Sequence, residues 1–203
     1  YLDILKDRLY TCAASSIARR SAQTALWHIT NCYLKVMAPI LSFTAEEAWP
    51  LFSESLWQEG GETIFSQVFG GLPEIPDASA LLAKWSHIRQ ARSEVMKALE
   101  HQRSQSLIGS SLQADIEISA SEALFEALES LGADLKFVMM TSTVILSRQD
   151  AAGMSVKVIP SQHDKCERCW HYHPSVGSLA NHPGLCERCD SNLHGHGETR
   201  SFA

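Results

Sequence analysis

Four cysteines towards the end of the chain have the type and spacing of a metal site. Cys166 and Cys169 form one Cys-x-x-Cys hook, Cys186 and Cys189 form a second, and sixteen residues separate the two. Each hook can present two sulfurs to one ion from a tight turn, and two hooks complete a tetrahedron. Four sulfur ligands leave no open position for water, so the spacing predicts one structural Zn²⁺ rather than a catalytic metal.

Two other interpretations of the hooks stay open, namely redox-active pairs and two local disulfides. The composition is that of an intracellular protein, in which stable disulfides are rare. Three histidines near the hooks, His171, His173 and His182, could replace a cysteine as a ligand, although four cysteines already suffice. The two remaining cysteines, Cys12 and Cys32, lie in helical sequence, and we expect them to be core residues.

The rest of the sequence has no recognisable catalytic arrangement, such as a glycine-rich phosphate loop or a Ser/His/Asp set in a known context. The chain has 203 residues, of which 45% are hydrophobic and 20% charged, as in an ordinary globular protein. No apolar stretch approaches the roughly 18 residues that span a bilayer. The net charge is −6, so any contact with nucleic acid has to rest on local basic patches. The chain opens on Tyr1 and not on Met, and we expect a piece of a longer protein.

The first half of the chain has helical periodicity. Apolar residues recur at steps of three and four from about Ser16 to Ile40, and Pro39 predicts a break there. Thr44 with Glu47 has the pattern of a capping box that opens a short helix. Residues 54–78 collect glycine and proline and predict a long connection.

Helical sequence returns at about Ala78, and its apolar residues share one side of a helical wheel. Arg92 falls in the middle of that side. It can extend its guanidinium to solvent or pair with an acid such as Glu46 or Glu47. The alternative is a guanidinium held at a functional groove.

A change of pattern follows residue 109. Residues 112–118 alternate strictly between apolar and polar, which predicts a strand with one buried face. A helical segment comes next, and the apolar stretches 135–146 and 154–158 predict two further strands. Residues 149–153 then read as a hairpin turn between those two strands, and the whole as a small α+β unit.

These patterns predict a mainly α fold in three parts. A helical bundle occupies residues 1–108 and includes the connection at 54–78, a small α+β module occupies 109–160, and a four-cysteine zinc finger occupies 161–203.

Three stretches of the helical part, Tyr1–Tyr10, Arg19–Leu26 and Met37–Trp49, resemble the anticodon-binding region of class I aminoacyl-tRNA synthetases of the aliphatic-amino-acid group. The first hook with its flanks, Lys165–Tyr172, and the closing Gly197–Ala203 resemble the zinc-bearing C-terminal region of bacterial isoleucyl-tRNA synthetases. The resemblance covers essentially the whole chain, and it implies that the helical bundle is an anticodon-binding domain.

In that family the intact enzyme charges tRNA(Ile) with isoleucine, and a separate editing domain removes mischarged valine. The ATP-binding motifs of the family, His-Ile-Gly-His and Lys-Met-Ser-Lys-Ser, are absent from this sequence. The resemblance therefore implies that ATP and Mg²⁺ belong to a catalytic domain outside this chain, and that this piece binds tRNA without catalysing a reaction. The implied partners are tRNA(Ile) and the catalytic body of the same polypeptide, in a monomeric cytoplasmic protein.

Reading an anticodon needs flat side chains on which splayed bases can stack, and groups that hydrogen-bond to base edges. Trp170 and Arg168, next to zinc ligands, suit both tasks. Trp170 could instead only cover the zinc site, and the arginines could be ordinary surface charges. The other predicted RNA contacts are Arg19, Arg20, Arg89, Arg92, Lys97, Arg200 and Phe202, with Lys84 and Arg103 as further candidates for phosphate contacts.

Two interpretations from other functional classes remain. One is a DNA-binding zinc module similar to that of the formamidopyrimidine-DNA glycosylases, although the helical first half does not resemble those enzymes. The other is a structural or protein-interaction module in which zinc only stabilises the end of the chain.

Overall fold

The computed structural model describes residues 2–56 and 63–202. These residues form an α+β fold with seven α-helices and one three-stranded sheet. None of these helices combines the length and the apolar character that a membrane crossing needs. The helices are α1 (Leu2–Thr11), α2 (Ile17–Met37), α3 (Ser42–Leu56), α4 (Ala78–Ser104), α5 (Glu122–Glu129), α6 (Leu135–Met139) and α7 (Glu187–His194), and the strands are β1 (Ala114–Ala120), β2 (Thr143–Arg148) and β3 (Met154–Pro160).

The chain divides into two compact units. We call Tyr1–Arg19 with Asp77–Ala203 the sheet unit, and Arg20–Pro76 the helical unit. The predicted domains 1–108, 109–160 and 161–203 were defined by their type of secondary structure and by the cysteine hooks, whereas the two units are defined by their internal contacts. The three-domain division therefore stays a prediction.

The predicted helix from Ser16 to the break at Pro39 is confirmed as α2. Ser16 caps its start, since its side-chain oxygen accepts a hydrogen bond from the Arg19 amide at 3.2 Å. The predicted capping box is wrong, because α3 begins before Thr44 and both members of the box lie inside it. The Leu41 amide bonds to the Met37 carbonyl at 2.7 Å, and this turn leads directly into α3.

The helical unit has a small core of Leu34, Ala38, Ala45, Trp49 and Ile64. Its connection begins later than predicted, because α3 continues through the first residues of the predicted range 54–78, and residues 57–62 of that range lie outside the described residues. A 3-10 turn follows at Ile64–Ser66. The Glu46 carboxylate fixes this turn by accepting hydrogen bonds from the Thr63 hydroxyl at 2.8 Å and the Ile64 amide at 3.0 Å.

The sheet has the order β2-β1-β3, with β1 parallel to β2 and antiparallel to β3. The alternation predicted for β1 is confirmed, since Ile116 and Ile118 are buried between half-buried polar neighbours. The predicted hairpin between β2 and β3 is wrong, because β1 lies between them. Residues 149–153 instead pass the end of β1, where the Gln149 amide donates to the Ala120 carbonyl.

The apolar stretch 135–146 is predicted as one strand, but its first part is the short helix α6. Met140 ends this helix in the left-handed conformation with φ 59°, and the Thr141 amide returns to the Lys136 carbonyl at 3.0 Å. Strand β2 starts only at Thr143.

Helix α4 is confirmed, and it packs on the sheet and on α5. Its buried residues Ile88, Ala91, Val95 and Leu99 recur at steps of three and four. They join β1, α5 and α6 in one apolar cluster, which is the core of the sheet unit.

Candidate functional site

The two cysteine hooks meet in the sheet unit. The first hook is a tight turn, in which the Trp170 amide donates to the Cys166 carbonyl at 3.0 Å. The second begins at the N-cap of α7, so that Cys186 precedes the helix and Cys189 lies in its first turn. All four cysteines are buried, and their sulfurs lie within 4.8 Å of one another.

The spacing of the sulfurs fits a zinc ion. Zn–S bonds of about 2.3 Å in a tetrahedron put neighbouring sulfurs about 3.8 Å apart, and the sulfurs of Cys169 and Cys186 are 3.7 Å apart. The Cys186 amide also donates to the Cys166 sulfur at 3.3 Å, a contact that favours the thiolate. The six cysteines are unpaired, so the local disulfides considered above are not formed. Of the three histidines considered as substitute ligands, none belongs to this cluster.

Each hook has the sequence Cys-Glu-Arg-Cys, and each arginine binds helix α1. Arg168 donates to the carbonyls of Tyr10 at 3.1 Å and of Thr11 at 2.6 Å, where a cation at the end of the helix also meets a favourable dipole. Arg188 forms a bidentate ion pair with the Asp7 carboxylate, with N···O distances of 2.8 and 2.9 Å. The two hooks therefore hold α1 against the cysteine cluster.

Asp7 is the centre of a largely buried ion cluster. It pairs with Arg188 and with Arg200, and both arginines also contact Glu198 at 3.1 Å. Burial by itself would raise the pKa of Asp7, but the hydrogen bond and charge of Arg188, with the charges of Arg200 and His171, hold it well below its ordinary value of 3.8. The same two arginines outweigh burial at Glu198 and lower its pKa too. Both acids are therefore charged at neutral pH.

The last residues of the described chain are bound to the same unit. Asp134, which is buried, accepts hydrogen bonds from the amides of Ser201 at 2.9 Å and Phe202 at 2.7 Å. The Arg200 guanidinium stacks on Phe137 at 3.3 Å from the ring centroid. Phe202 is half exposed, and the ammonium group of Lys84 lies 5.4 Å from its ring.

Trp170 is displayed on the outside of the first hook. Its side chain is 59% exposed, and its φ of 66° lies in the left-handed region. That conformation is a genuine outlier for a bulky residue. The ammonium group of Lys165 lies 5.2 Å from the centre of the Trp170 ring.

An apolar pocket of about 490 Å³ lies beside Trp170 in the sheet unit. Ile4, Phe137 and Met140 form part of its wall, and Arg168 and His171 also line it. Nε2 of His171 is buried and has no hydrogen-bond partner among the described residues.

The other predicted RNA contacts lie in different settings. Arg89 and Lys97 are exposed on α4, and Lys97 pairs with Glu94 at 2.8 Å. Arg19 is half-buried, and Arg20 is exposed in the helical unit.

Three of the predicted RNA contacts are engaged by protein groups. One is Arg168, which donates to the Tyr10 and Thr11 carbonyls, and the others are Arg92 and Arg200. Arg92 donates to the Val138 carbonyl at 2.9 Å and contacts the Met140 sulfur, so its acid partners considered above, Glu46 and Glu47, are replaced by a backbone carbonyl. The side chain of Arg200 has no exposed surface, because the ion cluster and Phe137 enclose it.

Comparison with known proteins agrees with this arrangement. A family model described as the anticodon-binding domain of tRNA ligase matches residues 1–118. The chain belongs to this anticodon-binding family of tRNA ligases. A second model, described as a zinc finger found in FPG and IleRS, matches residues 164–192, a range that contains all four clustered cysteines.

Curated relatives that match the chain are isoleucine–tRNA ligases. It is 58% identical to isoleucine–tRNA ligase of Paraburkholderia phytofirmans, 56% to isoleucine–tRNA ligase 1 of Burkholderia mallei and 53% to isoleucine–tRNA ligase of Burkholderia vietnamiensis. Each match covers 100% of this chain and 21% of the relative. The chain therefore spans about a fifth of the length of these relatives.

The sequence alone did not identify Asp7 and Glu198 as the acidic partners of Arg188 and Arg200. Nor did it identify Lys165 as the cation beside the Trp170 ring. Asp7 and Glu198 lie far apart in sequence, so local pattern could not pair them. The repeated Cys-Glu-Arg-Cys was the available signal, because two arginines fixed between buried sulfurs need nearby acceptors.

Proposed function

We propose that this chain is the tRNA-binding part of an isoleucine–tRNA ligase and that it does no chemistry by itself. Residues 1–108 then include the helical anticodon-binding domain, and residues 161–203 are the zinc finger beside it. The whole ligase would charge tRNA(Ile) with isoleucine, using ATP and Mg²⁺ in a catalytic domain elsewhere in a longer, monomeric and cytoplasmic polypeptide. The observation that carries the RNA-binding role is the exposed Trp170, held in a strained conformation next to a zinc ligand.

The proposed Zn²⁺ is structural and is held by Cys166, Cys169, Cys186 and Cys189. When bound, it would cross-link the two hooks and thereby fix the arginines that hold α1. The sulfur spacing and the zinc-finger match support this assignment.

Trp170 is proposed as a stacking surface for one base of the anticodon loop. A non-glycine residue in the left-handed conformation lowers the stability of the folded state by about 1–3 kcal/mol, and such strained residues cluster at functional sites. Lys165, next to the ring, can contact a neighbouring phosphate. The pocket beside Trp170 can accept a splayed base, and Arg168 lines it with the guanidinium N–H groups that its bonds to the Tyr10 and Thr11 carbonyls do not use.

The remaining predicted contacts serve phosphates in this proposal. Arg89 and Lys97 of α4, with Arg19 in the sheet unit and Arg20 in the helical unit, can each add salt-dependent affinity that is independent of base sequence. Phe202 remains a second aromatic candidate because its ring is half exposed. Arg200 and Arg92 are left out of the proposed surface. The side chain of Arg200 has no exposed surface, and Arg92 donates to the Val138 carbonyl and does not line the pocket beside Trp170.

The catalytic body of the longer polypeptide is the proposed covering for apolar surface of the helical unit. Ile40, Phe43 and Leu51 are at least 74% exposed there. Exposed apolar surface of this extent marks an interaction site, and the relatives are about five times as long as this chain.

Replacement of Trp170 tests the stacking role. The chain is titrated with tRNA(Ile), with the same tRNA carrying a changed anticodon, and with a non-cognate tRNA, each at low and moderate salt. We expect Trp170→Ala to weaken binding of tRNA(Ile) by about 1–3 kcal/mol, because stacking on an aromatic side chain contributes that much per base. Trp170→Phe keeps a ring and should retain most of the affinity.

Trp170→Gly serves as the control for folding, because glycine accepts the left-handed conformation without strain. It should keep its zinc and its thermal stability while losing the same affinity for tRNA. Unchanged affinity in both the Ala and Gly variants would return Trp170 to a packing role. Equal binding of all three tRNAs that collapses with salt would limit the chain to phosphate contacts.

DNA binding is the second candidate function, because the description of the matching zinc finger names FPG as well as IleRS. Competition between tRNA(Ile) and duplex DNA distinguishes the two. Tighter binding of the duplex would support the DNA-binding function, and preference for tRNA would exclude it.

A further inference from the structure

A second group of metal-ligating side chains lies outside the cysteine cluster. One ligand atom each from His182, Asp190 and His194 lies within 4.8 Å of the other two. Nδ1 of His182 is 2.6 Å from a carboxylate oxygen of Asp190. The rings of His182 and His194 stack, with their centroids 4.2 Å apart and an angle of 11° between their planes. The proposed tRNA-binding role uses none of these three side chains.

The backbone holds all three residues in place. Asp190 and His194 are one turn apart on α7, so their side chains share one face of that helix. The amide after His194, that of Gly195, still bonds to the Ser191 carbonyl at 2.9 Å, so the helical turn continues to its end. His182 lies in the turn before α7, and the Leu185 amide bonds to its carbonyl at 3.0 Å. The three ligand atoms therefore come from two ordered elements.

The chemistry of this set selects a class of metal. Two imidazole nitrogens and one carboxylate oxygen suit borderline divalent ions of the first transition row, whereas Mg²⁺ and Ca²⁺ prefer oxygen ligands alone. The side chains of His182 and Asp190 are about one-third exposed, and His194 is exposed. An ion can therefore enter from solvent, and water can complete its coordination.

Binding of one ion by these three side chains requires two changes of local geometry. Metal–nitrogen bonds of about 2.0–2.1 Å place two ligand atoms of a tetrahedron about 3.4 Å apart. The lone pair of an imidazole nitrogen lies in the plane of the ring, so His194 would have to leave its stack on His182 to reach the ion, and as an exposed side chain it can change rotamer. The 2.6 Å contact between Nδ1 of His182 and the Asp190 carboxylate is a hydrogen bond shorter than this spacing, so the ion would replace the shared proton and the two atoms would move apart.

We propose that His182, Asp190 and His194 form a second metal site, which binds a divalent transition-metal ion such as Ni²⁺ or Zn²⁺ independently of the cysteine cluster. The site belongs to the surface of the zinc finger and does not depend on the proposed binding of tRNA.

The test is calorimetric titration of the full chain with Ni²⁺, starting from protein that carries one equivalent of zinc. Both metals are then counted by mass spectrometry after gel filtration. We expect the wild type to bind one Ni²⁺ and to retain its zinc. His194→Ala should weaken Ni²⁺ binding by roughly tenfold or more, given the 10–100-fold losses known even for residues that only support a ligand.

His196→Ala is the matched control, because this exposed histidine lies two residues beyond His194 and outside the cluster. It should bind Ni²⁺ as the wild type does. Asp190→Asn keeps a partner for His182 and hence the local fold, and it should also weaken Ni²⁺ binding. Three results would overturn the proposal: no Ni²⁺ bound by the wild type, equal affinity in His194→Ala, or release of one zinc for each Ni²⁺ bound, which would place the nickel at the cysteines.

Discussion

The two compact units differ in how completely each buries its apolar residues. The sheet unit encloses Ile88, Ile116 and Leu128 completely, and the cysteine and ion clusters add to this core. In the helical unit, two of the five buried core residues are alanines. Several of its other large apolar side chains, such as Phe43 at 93%, are exposed.

This difference indicates that different contacts stabilise the two units. The sheet unit has its own core and a set of fixed polar contacts, so its stability should respond to changes within the chain. The helical unit presents more apolar surface than its own core covers, which is how a surface built for a further partner looks. Mutations should therefore have larger effects in the sheet unit than in the helical unit.

Loss of the cysteine cluster should produce the largest difference in stability between the two units. Cys189→Ala or a strong chelator removes the proposed zinc, whose binding contributes about 10–16 kcal/mol in small zinc domains. Hydrogen exchange should then accelerate in residues 161–202 and in α1, which the hook arginines hold, while α2 and α3 keep their rates.

Cys32→Ser is the control, because Cys32 lies in α2 outside the cluster. It should bind one zinc and leave exchange at the hooks unchanged. If Cys189→Ala accelerated exchange equally in both units, the difference between them would be refuted.

Removal of the Asp7 carboxylate should have the next largest effect. Asp7→Ala removes one of the two acids that Arg188 and Arg200 share and leaves Glu198 to face both cations, and breaking a buried pair in this way costs about 3–5 kcal/mol. Asp3→Ala removes an acid from the same helix, but its pair with Lys6 is exposed and contributes about 0–1 kcal/mol. Urea unfolding of both variants measures the difference, and similar losses would contradict the central role of Asp7.

The ion cluster should also make unfolding depend on acid pH. The pKa values of Asp7 and Glu198 are lowered in the folded state, so their contribution is complete above the ordinary values of 3.8 and 4.5. It is lost as the pH falls through the folded values. The stability difference between the wild type and Asp7→Ala should thus be constant from pH 7 to pH 5 and shrink below about pH 4.

Two matched leucines sharpen the comparison of the cores. Leu→Ala changes in cores cost about 2–5 kcal/mol, and the cost rises with the cavity that remains. Leu128 of the sheet unit has no exposed surface and Leu34 of the helical unit is 7% exposed, so Leu128→Ala should lie near the upper end and Leu34→Ala near the lower. Hydrogen exchange resolved by unit assigns each loss, and a larger cost for Leu34 would reverse the ranking.

The smallest predicted effect concerns the turn that closes the helical unit. Glu46→Gln replaces a charged acceptor of two hydrogen bonds with a neutral one, and we expect a loss of about 1 kcal/mol. Glu47→Gln changes the neighbouring acid and should be neutral. Equal effects of the two changes, measured by thermal unfolding, would show that the contacts to Thr63 and Ile64 contribute nothing.

The sequence predicted features that depend on neighbouring residues. Periodicity located α2, α4 and β1, and hook spacing brought the four cysteines together. Prediction from the sequence failed where contacts with a segment distant in sequence determine the structure. Residues 149–153 resemble a hairpin turn locally, yet β1 pairs with both flanking strands and lies between them. Arg200 looked like a free cation, and only the folded chain reveals that Asp7 and Phe137 enclose it.

The binding of α1 by residues near the other end of the chain has a consequence for the order of folding. Asp7 leaves the ribosome 181 residues before Arg188 and 193 residues before Arg200. Contacts of such long range form late and slow the completion of a fold. The helical unit, α4 and the sheet can all form while α1 still lacks its partners. Closure of α1 onto the hooks should thus follow the formation of these elements, and a nascent chain halted before residue 188 should leave α1 open to proteolysis.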